Sequence, residues 1–210
     1  LDLLGRFLFV TSGDTNTYSS VIDATTGELS GVTATNATGM AGNLQANGVD
    51  PYGRFVYSAS NTAISDVMPF TVNQTTGALT AGTKITGCRW MRSMLVDPTG
   101  NWLISASFDS TSTPTINWGG VCVYAINQTT GALTPTASTG LTGTATNGYG
   151  TLHVAINSTG KFVYASNRVS MSITAFSFNS TTGALTQVGD PTAAAAVNPR
   201  PLTVVKQLVY

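Results

Sequence analysis

Short stretches of alternating apolar and polar residues run along the chain, and turns rich in glycine, asparagine and threonine separate them. The segment 151–190 shows the pattern clearly, with such stretches at 152–156, 161–166, 172–178 and 184–188. Period-two alternation with β-branched and aromatic side chains is typical of β-strands. We therefore predict four short antiparallel strands in this segment. No stretch of the chain follows a helical period, so we expect almost no helix.

Two sequence phrases recur in step with this pattern. The first is T-T-G-x-L, whose glycines are Gly27, Gly77, Gly131 and Gly183. The second is a D-P-x-G-like turn followed by a basic or polar residue and then an aromatic one. Its glycines are Gly53, Gly100 and Gly160, and a degenerate copy of the phrase contains Gly5. The T-T-G glycines are 50, 54 and 52 residues apart. A fixed period of this length indicates one supersecondary unit copied in series.

Repeats of four short strands predict an all-β fold, a single β-propeller domain of about four four-stranded antiparallel blades. The repeats span approximately residues 1–46, 47–93, 94–153 and 154–199, and residues 200–210 are expected to form a closing strand. The first repeat begins at a second strand and lacks an inner one. We expect the closing strand to pair with this blade, either within one chain or between copies of the chain. Alternatively, the repeats belong to a larger ring.

The combination of V-D-P-x-G-R-F with T-T-G-A-L-T resembles the lactonase-like β-propellers, the family of 6-phosphogluconolactonase and of the fungal carboxymuconate-cyclising enzyme. It is also similar to propeller repeats of microbial surface proteins. The resemblance covers essentially the whole chain. It implies a seven-bladed ring with histidine, arginine and glutamate around a central channel. The chain departs from this in having four repeats and in its only glutamate, Glu28, which lies in a T-T-G turn at the outer edge.

The charge content narrows the possible partners. Only 9% of residues are charged, against about 25% in an ordinary soluble domain. The formal net charge is zero and no basic run occurs, which argues against nucleic acid and against anionic membrane surfaces. No apolar run is long enough to span a membrane. With no Cys/His cluster and no phosphate-binding loop, the sequence predicts no metal and no cofactor.

The cysteines and the glycosylation sequons indicate the cellular compartment in which the protein works. Cys88 and Cys122 are either two buried thiols or, in an oxidising compartment, a disulfide. Five N-x-[S/T] sequons occur, at Asn36, Asn73, Asn127, Asn157 and Asn179. Asparagine and threonine are also ordinary turn formers, so the sequons alone do not decide the question. Together with the low charge, they favour a secreted or cell-surface glycoprotein.

Residues that break the repeat are the candidates for chemistry. His153, the only histidine, and Arg92 lie on predicted inner strands before the D-P-x-G-like turns, and they are weak catalytic candidates. Arg89, Trp90, Arg92, His153 and Arg200 are expected to form a cationic channel mouth for a small anionic or sugar-like ligand. Arg168 breaks the repeat as well. Arg6, Arg54 and Lys161, which share one repeat position, are predicted to be solvated strand starts. An insertion at 108–120, with Asp109 and Trp118, is expected to be a loop on the binding face.

Two functions follow from this pattern. The first hypothesis is a non-catalytic structural or binding module, favoured by the four repeats and by the position of Glu28, which cannot reach a substrate in the channel. The alternative is a lactone hydrolase or cyclase in which His153 acts as the base and Arg92 steadies an oxyanion or a carboxylate. Proton release from simple lactones distinguishes the two.

Overall fold

Every regular element among the described residues is a β-strand. The computed structural model describes residues 4–108, 119–136, 144–145, 150–193 and 199, and their strands form four antiparallel sheets. The all-β fold predicted from the alternation is confirmed. The described residues contain no helix long and apolar enough to cross a membrane.

Each sheet is one blade, and its strands follow one another in chain order. The first blade contains β1 (Phe7–Thr11), β2 (Asn16–Ile22) and β3 (Leu29–Asn36). The second contains β4 (Leu44–Val49), β5 (Phe55–Ser60), β6 (Asp66–Val72), β7 (Leu79–Ala81) and β8 (Ile85–Thr86). The third contains β9 (Met91–Val96), β10 (Trp102–Phe108), β11 (Gly119–Ile126), β12 (Leu133–Pro135) and β13 (Thr144–Ala145). The fourth contains β14 (Thr151–Ile156), β15 (Phe162–Asn167), β16 (Ser172–Asn179), β17 (Ala184–Gln187) and β18 (Thr192–Ala193).

The outermost strand of the last three blades differs from the expected single strand. In the second blade, β7 and β8 both pair with β6, and the chain leaves the sheet between them where the Gly82 amide donates to the Pro69 carbonyl. The third and fourth blades repeat this split outer strand. Within the described residues the first blade has no inner strand, as expected. Its predicted closing strand at 200–210 lies outside those residues, as do Asp109 and Trp118.

The core lies between the blades. Three clusters of buried apolar side chains fill the three junctions between successive blades. Among the described strands, the substantial contacts between sheets join neighbours in chain order. Burial between sheets is therefore the main source of apolar stabilisation, at about 25 cal/mol for each Å² removed from water.

One contact recurs at every junction and accounts for both repeated phrases. The first aromatic residue of each second strand packs on the T-T-G glycine of the following blade. The pairs are Phe7 with Gly77, Phe55 with Gly131 and Trp102 with Gly183. A Cβ at any of these glycines would lie 2.5 Å from a ring carbon, and each glycine has a φ between +72° and +73°. Glycine is thus required twice, for the left-handed backbone and for the approach of the ring.

The basic residue before that aromatic also crosses to the next blade. Arg54 binds the buried Asp50 carboxylate through Nε at 2.9 Å and Nη2 at 2.8 Å, and the same Nη2 donates to Gln128 Oε1 at 3.0 Å. Arg6 Nη2 donates to Gln74 Oε1, also at 3.0 Å. Both arginines are partly exposed, as predicted for strand starts, but they also bind the next blade, and a contact with a residue about 70 positions away is invisible in local sequence.

Candidate functional site

The inner strands of the last three blades share a β-bulge near their first residue. The strands β4, β9 and β14 lie side by side. In each of them the pairing register with the second strand shifts by one residue. The extra residues are Gln45, Arg92 and Leu152. A bulge turns a side chain away from the regular alternation, and bulges are frequent beside active sites. Three equivalent bulges thus define a mouth at the start of the inner strands.

Arg92 is the centre of this mouth. Its Nη1 donates to Oε1 of Gln45 on the neighbouring inner strand at 2.5 Å. Its guanidinium lies 5.3 Å from the centroid of the Phe108 ring, close enough for a cation–π contact. Burial and then the charge of Arg168 lower the pKa of Arg92 from its ordinary value. In the described part of the chain no carboxylate forms an ion pair with Arg92.

Arg168 supplies the second positive charge. It follows β15 directly, and its amide donates to the Gly150 carbonyl at 2.9 Å, which fixes the turn at the entrance to β14. Its exposed side chain repels that of Arg92. Sequence reasoning noted that Arg168 breaks the repeat but did not place it in the site, and it missed Gln45 and Phe108. The signal was available for Arg168, because it breaks the repeat in the turn that follows a predicted second strand.

The segment before β9 carries backbone strain at the same mouth. Trp90 has a φ of +45°, which a residue with a bulky side chain rarely adopts. Its amide donates to the Thr62 carbonyl at 2.9 Å, and its carbonyl accepts from the Phe108 amide at 3.1 Å. The Arg89 carbonyl accepts from the Ser107 hydroxyl at 2.9 Å. Strained residues held by such contacts cluster at functional sites.

His153 lies on β14, one position after the bulge. It pairs with Ser166 and is half-buried. The counterpart of Arg92 on this strand is Leu152, so Arg92 and His153 occupy adjacent inner strands one register position apart. Arg200, the remaining residue predicted for the mouth, lies outside the described residues.

Cys88 and Cys122 meet at the junction of the second and third blades. The structure joins them in a disulfide with a Cα–Cα distance of 6.6 Å. Both cysteines are fully buried, and the Cys88 amide donates to the Tyr124 hydroxyl at 3.0 Å. Because Cys88 directly precedes Arg89, this bond anchors the segment that leads into the mouth.

Asp50, Asp97 and Glu28 make their contacts in turns away from the mouth. Asp50 and Asp97 are buried in their D-P-x-G turns, where their carboxylates accept backbone amides. Glu28 lies in the exposed turn between β2 and β3, where its carbonyl accepts the Asp23 amide at 2.9 Å. Among the described residues, no group of histidine, cysteine, aspartate and glutamate is suited to hold a metal ion.

The five sequons fall into two groups. The side chains of Asn73, Asn127 and Asn179 are exposed, and each amide oxygen accepts two backbone N–H groups of its T-T-G turn. Within the described residues their Nδ2 atoms make no hydrogen bond. By contrast, Nδ2 donates to a threonine hydroxyl in Asn36 and in Asn157. The nitrogen that would carry a glycan is therefore accessible in the first group.

Four antiparallel sheets that pack face to face in chain order define a β-propeller. The profile of the family "Lactonase, 7-bladed beta-propeller" matches residues 5–147 and 119–208. The chain therefore belongs to this lactonase family. No curated protein shows a significant match to it.

Solved structures share the fold at low sequence identity. A structure from Bacteroides fragilis, provisionally assigned as a 6-phosphogluconolactonase, is 18% identical with a TM-score of 0.72, covering 94% of this chain and 54% of that one. The periplasmic gluconolactonase of Pseudomonas aeruginosa is 13% identical with a TM-score of 0.69, covering 93% and 57%. Hydrazine synthase of Kuenenia stuttgartiensis is 18% identical with a TM-score of 0.52, covering 88% and 49%. The chain thus spans about half the length of these structures.

The family match corrects the first functional hypothesis. A non-catalytic structural or binding module is the wrong prediction, and the alternative, a lactonase-type protein, is the better supported one. The error came from giving weight to the missing channel glutamate. Proton transfer in hydrolysis does not require glutamate, since histidine or a bound water can perform it.

Proposed function

We propose that this chain contributes part of the active site of a lactone hydrolase that acts on an anionic sugar-acid lactone. The observation that carries the proposal is Arg92, whose guanidinium lies at the β9 bulge between Gln45 and the Phe108 ring without a carboxylate partner in the described residues, and Arg168 adds a second positive charge to this mouth. A bound anion relieves their repulsion, and charge-assisted hydrogen bonds from a guanidinium to carboxylate or phosphate are strong.

The chemistry assigns a different task to each group. In lactone hydrolysis a water adds to the ring carbonyl, negative charge develops on the carbonyl oxygen, and the ring oxygen leaves with a proton. In this proposal Arg92, at the β9 bulge, stabilises that oxyanion or holds the acid group of the substrate. His153, on the adjacent strand, is the candidate base that takes the proton from the water.

The substrate class follows from the charge. The similar structures from two bacteria are named for 6-phosphogluconolactone and for gluconolactone, which differ by one phosphate. Two arginines favour the phosphorylated lactone, because each adds a charge-assisted contact that the neutral sugar lacks. We therefore expect a higher kcat/KM for the phosphorylated lactone.

The test is proton release from both lactones, corrected for spontaneous hydrolysis. Arg92→Gln should lower kcat/KM for the phosphorylated lactone by about 10- to 100-fold, the effect of losing a hydrogen bond to a charged group. Lys84→Gln is the control, because it also removes one positive charge. Lys84 forms an ion pair with Asp66 and does not belong to the mouth. Hydrolysis no faster than the spontaneous rate, or equal loss in both variants, would contradict the proposal.

We also propose that the protein works outside the cytosol. The Cys88–Cys122 bond and the accessible Nδ2 atoms of Asn73, Asn127 and Asn179 support this placement, since disulfides persist in oxidising compartments. The periplasmic location of one similar protein is in keeping with it. Intact mass of protein from a secreting eukaryotic host should show glycans that Asn73→Gln, Asn127→Gln and Asn179→Gln remove. A mass without glycans would contradict the use of the sequons.

A further inference from the structure

Contacts between an arginine and a glutamine join neighbouring blades both at the outer turns and at the mouth. At the outer junction of the second and third blades, Arg54 Nη2 donates to Gln128 Oε1 at 3.0 Å. At the mouth, Arg92 Nη1 donates to Gln45 Oε1 at 2.5 Å. A guanidinium has only donors, so each glutamine must turn its carbonyl oxygen towards it. The same neutral acceptor thus serves two different places in the fold.

The outer pair is neutralised, and its amide is fully used. The Asp50 carboxylate accepts from Arg54 Nε at 2.9 Å and from Nη2 at 2.8 Å. The hydrogen bond with Asp50 is the main reason why the pKa of Arg54 is raised. Gln128 Nε2 donates to the carbonyls of Gly100 at 2.8 Å and of Ile126 at 3.1 Å. Charge and amide are therefore both consumed in holding the two blades together.

The pair at the mouth has a different charge balance. Among the described residues no carboxylate forms an ion pair with Arg92. Burial, and then the charge of Arg168, lower the pKa of Arg92, the opposite direction from Arg54. Gln45 accepts a hydrogen bond from this guanidinium and adds no negative charge that would compete with a bound anion.

A second contact also restrains Arg92. Its guanidinium carbon lies 5.3 Å from the centroid of the Phe108 ring, and Phe108 is buried. A Cβ at Gly150 would lie 2.9 Å from a Phe108 ring carbon, so the ring packs closely on that glycine. Arg92 is therefore held by the amide of the second blade and by a ring that the fourth blade supports. Both contacts lie at junctions inside the chain.

The fold does not require glutamine at position 45. Gln45, Arg92 and Leu152 are the equivalent extra residues in the bulges of β4, β9 and β14. Leu152 shows that an apolar side chain fits the same bulge, and the side chain of Gln45 is exposed. The amide of Gln45 is therefore dispensable for the blade, in contrast to the amide of Gln128.

We propose that Gln45 is a positioning residue of the mouth, which holds the Arg92 guanidinium in place for an anionic group and leaves its positive charge uncompensated. This inference rests on the anion-binding mouth of the proposed function. A side chain that is ordered beforehand loses less entropy when the anion binds. A glutamate at this position would keep the hydrogen bond, but it would neutralise the guanidinium and repel the anion.

Binding of inorganic sulfate to the whole chain, followed by NMR, tests this role apart from hydrolysis. Gln45→Leu keeps the charge of the mouth and should weaken sulfate binding by about 3- to 10-fold, the effect of one lost hydrogen bond and of the order that it maintains. Gln45→Glu keeps the acceptor and should weaken binding by more than about tenfold. The Nε–Hε signal of Arg92, recognised by its absence in Arg92→Gln, should move in Gln45→Leu, whereas the signal of Arg54 should not.

Gln128→Leu is the matched control, because it removes the same amide from the outer pair. It should lower the unfolding temperature and leave sulfate binding unchanged, since Arg54 and two backbone carbonyls lose a partner there. Gln45→Leu should do the reverse. Sulfate that does not bind the unaltered chain, or that binds Gln45→Leu as tightly, would overturn the proposal.

Lactone hydrolysis, measured in parallel, separates this role from the proposed function. Hydrolysis by the unaltered chain with an unchanged kcat/KM in Gln45→Leu would overturn the positioning role alone. Sulfate binding that depends on Gln45, in a chain that does not hydrolyse lactones, would support the positioning role and contradict only the reaction.

Discussion

The structure constrains the choice of residue differently at the outer T-T-G turns and at the inner mouth of this propeller. At the turns, Gly77, Gly131 and Gly183 recur because each must accept a ring from the preceding blade. At the mouth, the equivalent bulge positions hold glutamine, arginine and leucine, so nothing in the fold requires a particular side chain there. Repetition thus marks residues that hold blades together, and departure from repetition marks the place where chemistry is added to the frame.

The largest effect should come from the disulfide, which lies in the core between the second and third blades and anchors the segment that leads into the mouth. Reduction, or Cys88→Ala with Cys122→Ala, should lower the free energy of unfolding by about 3–4 kcal/mol in the chain-entropy model for a sequence separation of 34 residues. Urea unfolding with and without reductant measures it. Because Cys88 precedes Arg89, reduction should also weaken anion binding at the mouth. Unchanged stability after verified reduction would show that the junction is held by packing alone.

A substitution at a turn glycine should have the next largest effect. Gly131→Ala places a methyl group 2.5 Å from the Phe55 ring in addition to the cost of its positive φ, and should lower the free energy of unfolding by about 2–4 kcal/mol. Gly189→Ala is the matched control, with a φ of +65° and no described atom within 4 Å, and should cost only about 1 kcal/mol. Equal losses in urea unfolding would mean that the ring contact contributes nothing.

At the mouth, the equivalent substitution should leave the fold intact. Arg92→Leu installs the residue that β14 carries at the same bulge, and it removes a partly buried charge repelled by Arg168. Stability should stay the same or rise by up to about 1 kcal/mol, while the proposed hydrolysis of the anionic lactone should fall by at least as much as in Arg92→Gln. Thermal unfolding and the proton-release assay, run on one preparation, measure both. A strongly destabilised variant would place Arg92 among the structural residues.

These two regions also differ in how far the sequence predicts them. The strands of residues 151–190 were predicted to within about one residue at most ends, because alternation and turn glycines are local signals. The contact of Phe55 with Gly131 was not, since it joins residues of different blades. Counting back from Asp97 and Asn157 placed Arg92 and His153 on corresponding strands. The same count gives their offset by one position, whereas the bulge itself exists only in the pairing of strands.

The smallest effect should distinguish the first T-T-G turn from its copies. The Asp23 carboxylate accepts the amides of Thr26 and Thr25, and these hydrogen bonds lower its pKa from the ordinary value of 3.8. A carboxylate with a lowered pKa in the folded state contributes stability that is present above the unfolded pKa and is lost as pH falls through the folded one. The turns of Asn73, Asn127 and Asn179 make the same hydrogen bonds with a neutral amide and do not titrate.

Hydrogen exchange between pH 5 and pH 2.5, corrected for intrinsic rates, should therefore show a loss of protection at Thr25 and Thr26 that the equivalent threonines do not share. Asp23→Asn converts the first turn into a copy of the other three and should abolish the difference. Because the carboxylate is exposed, the effect is local, and global stability should change little. Loss of protection at all four turns together would instead indicate unfolding of all four blades, and would remove the distinction between this turn and its copies.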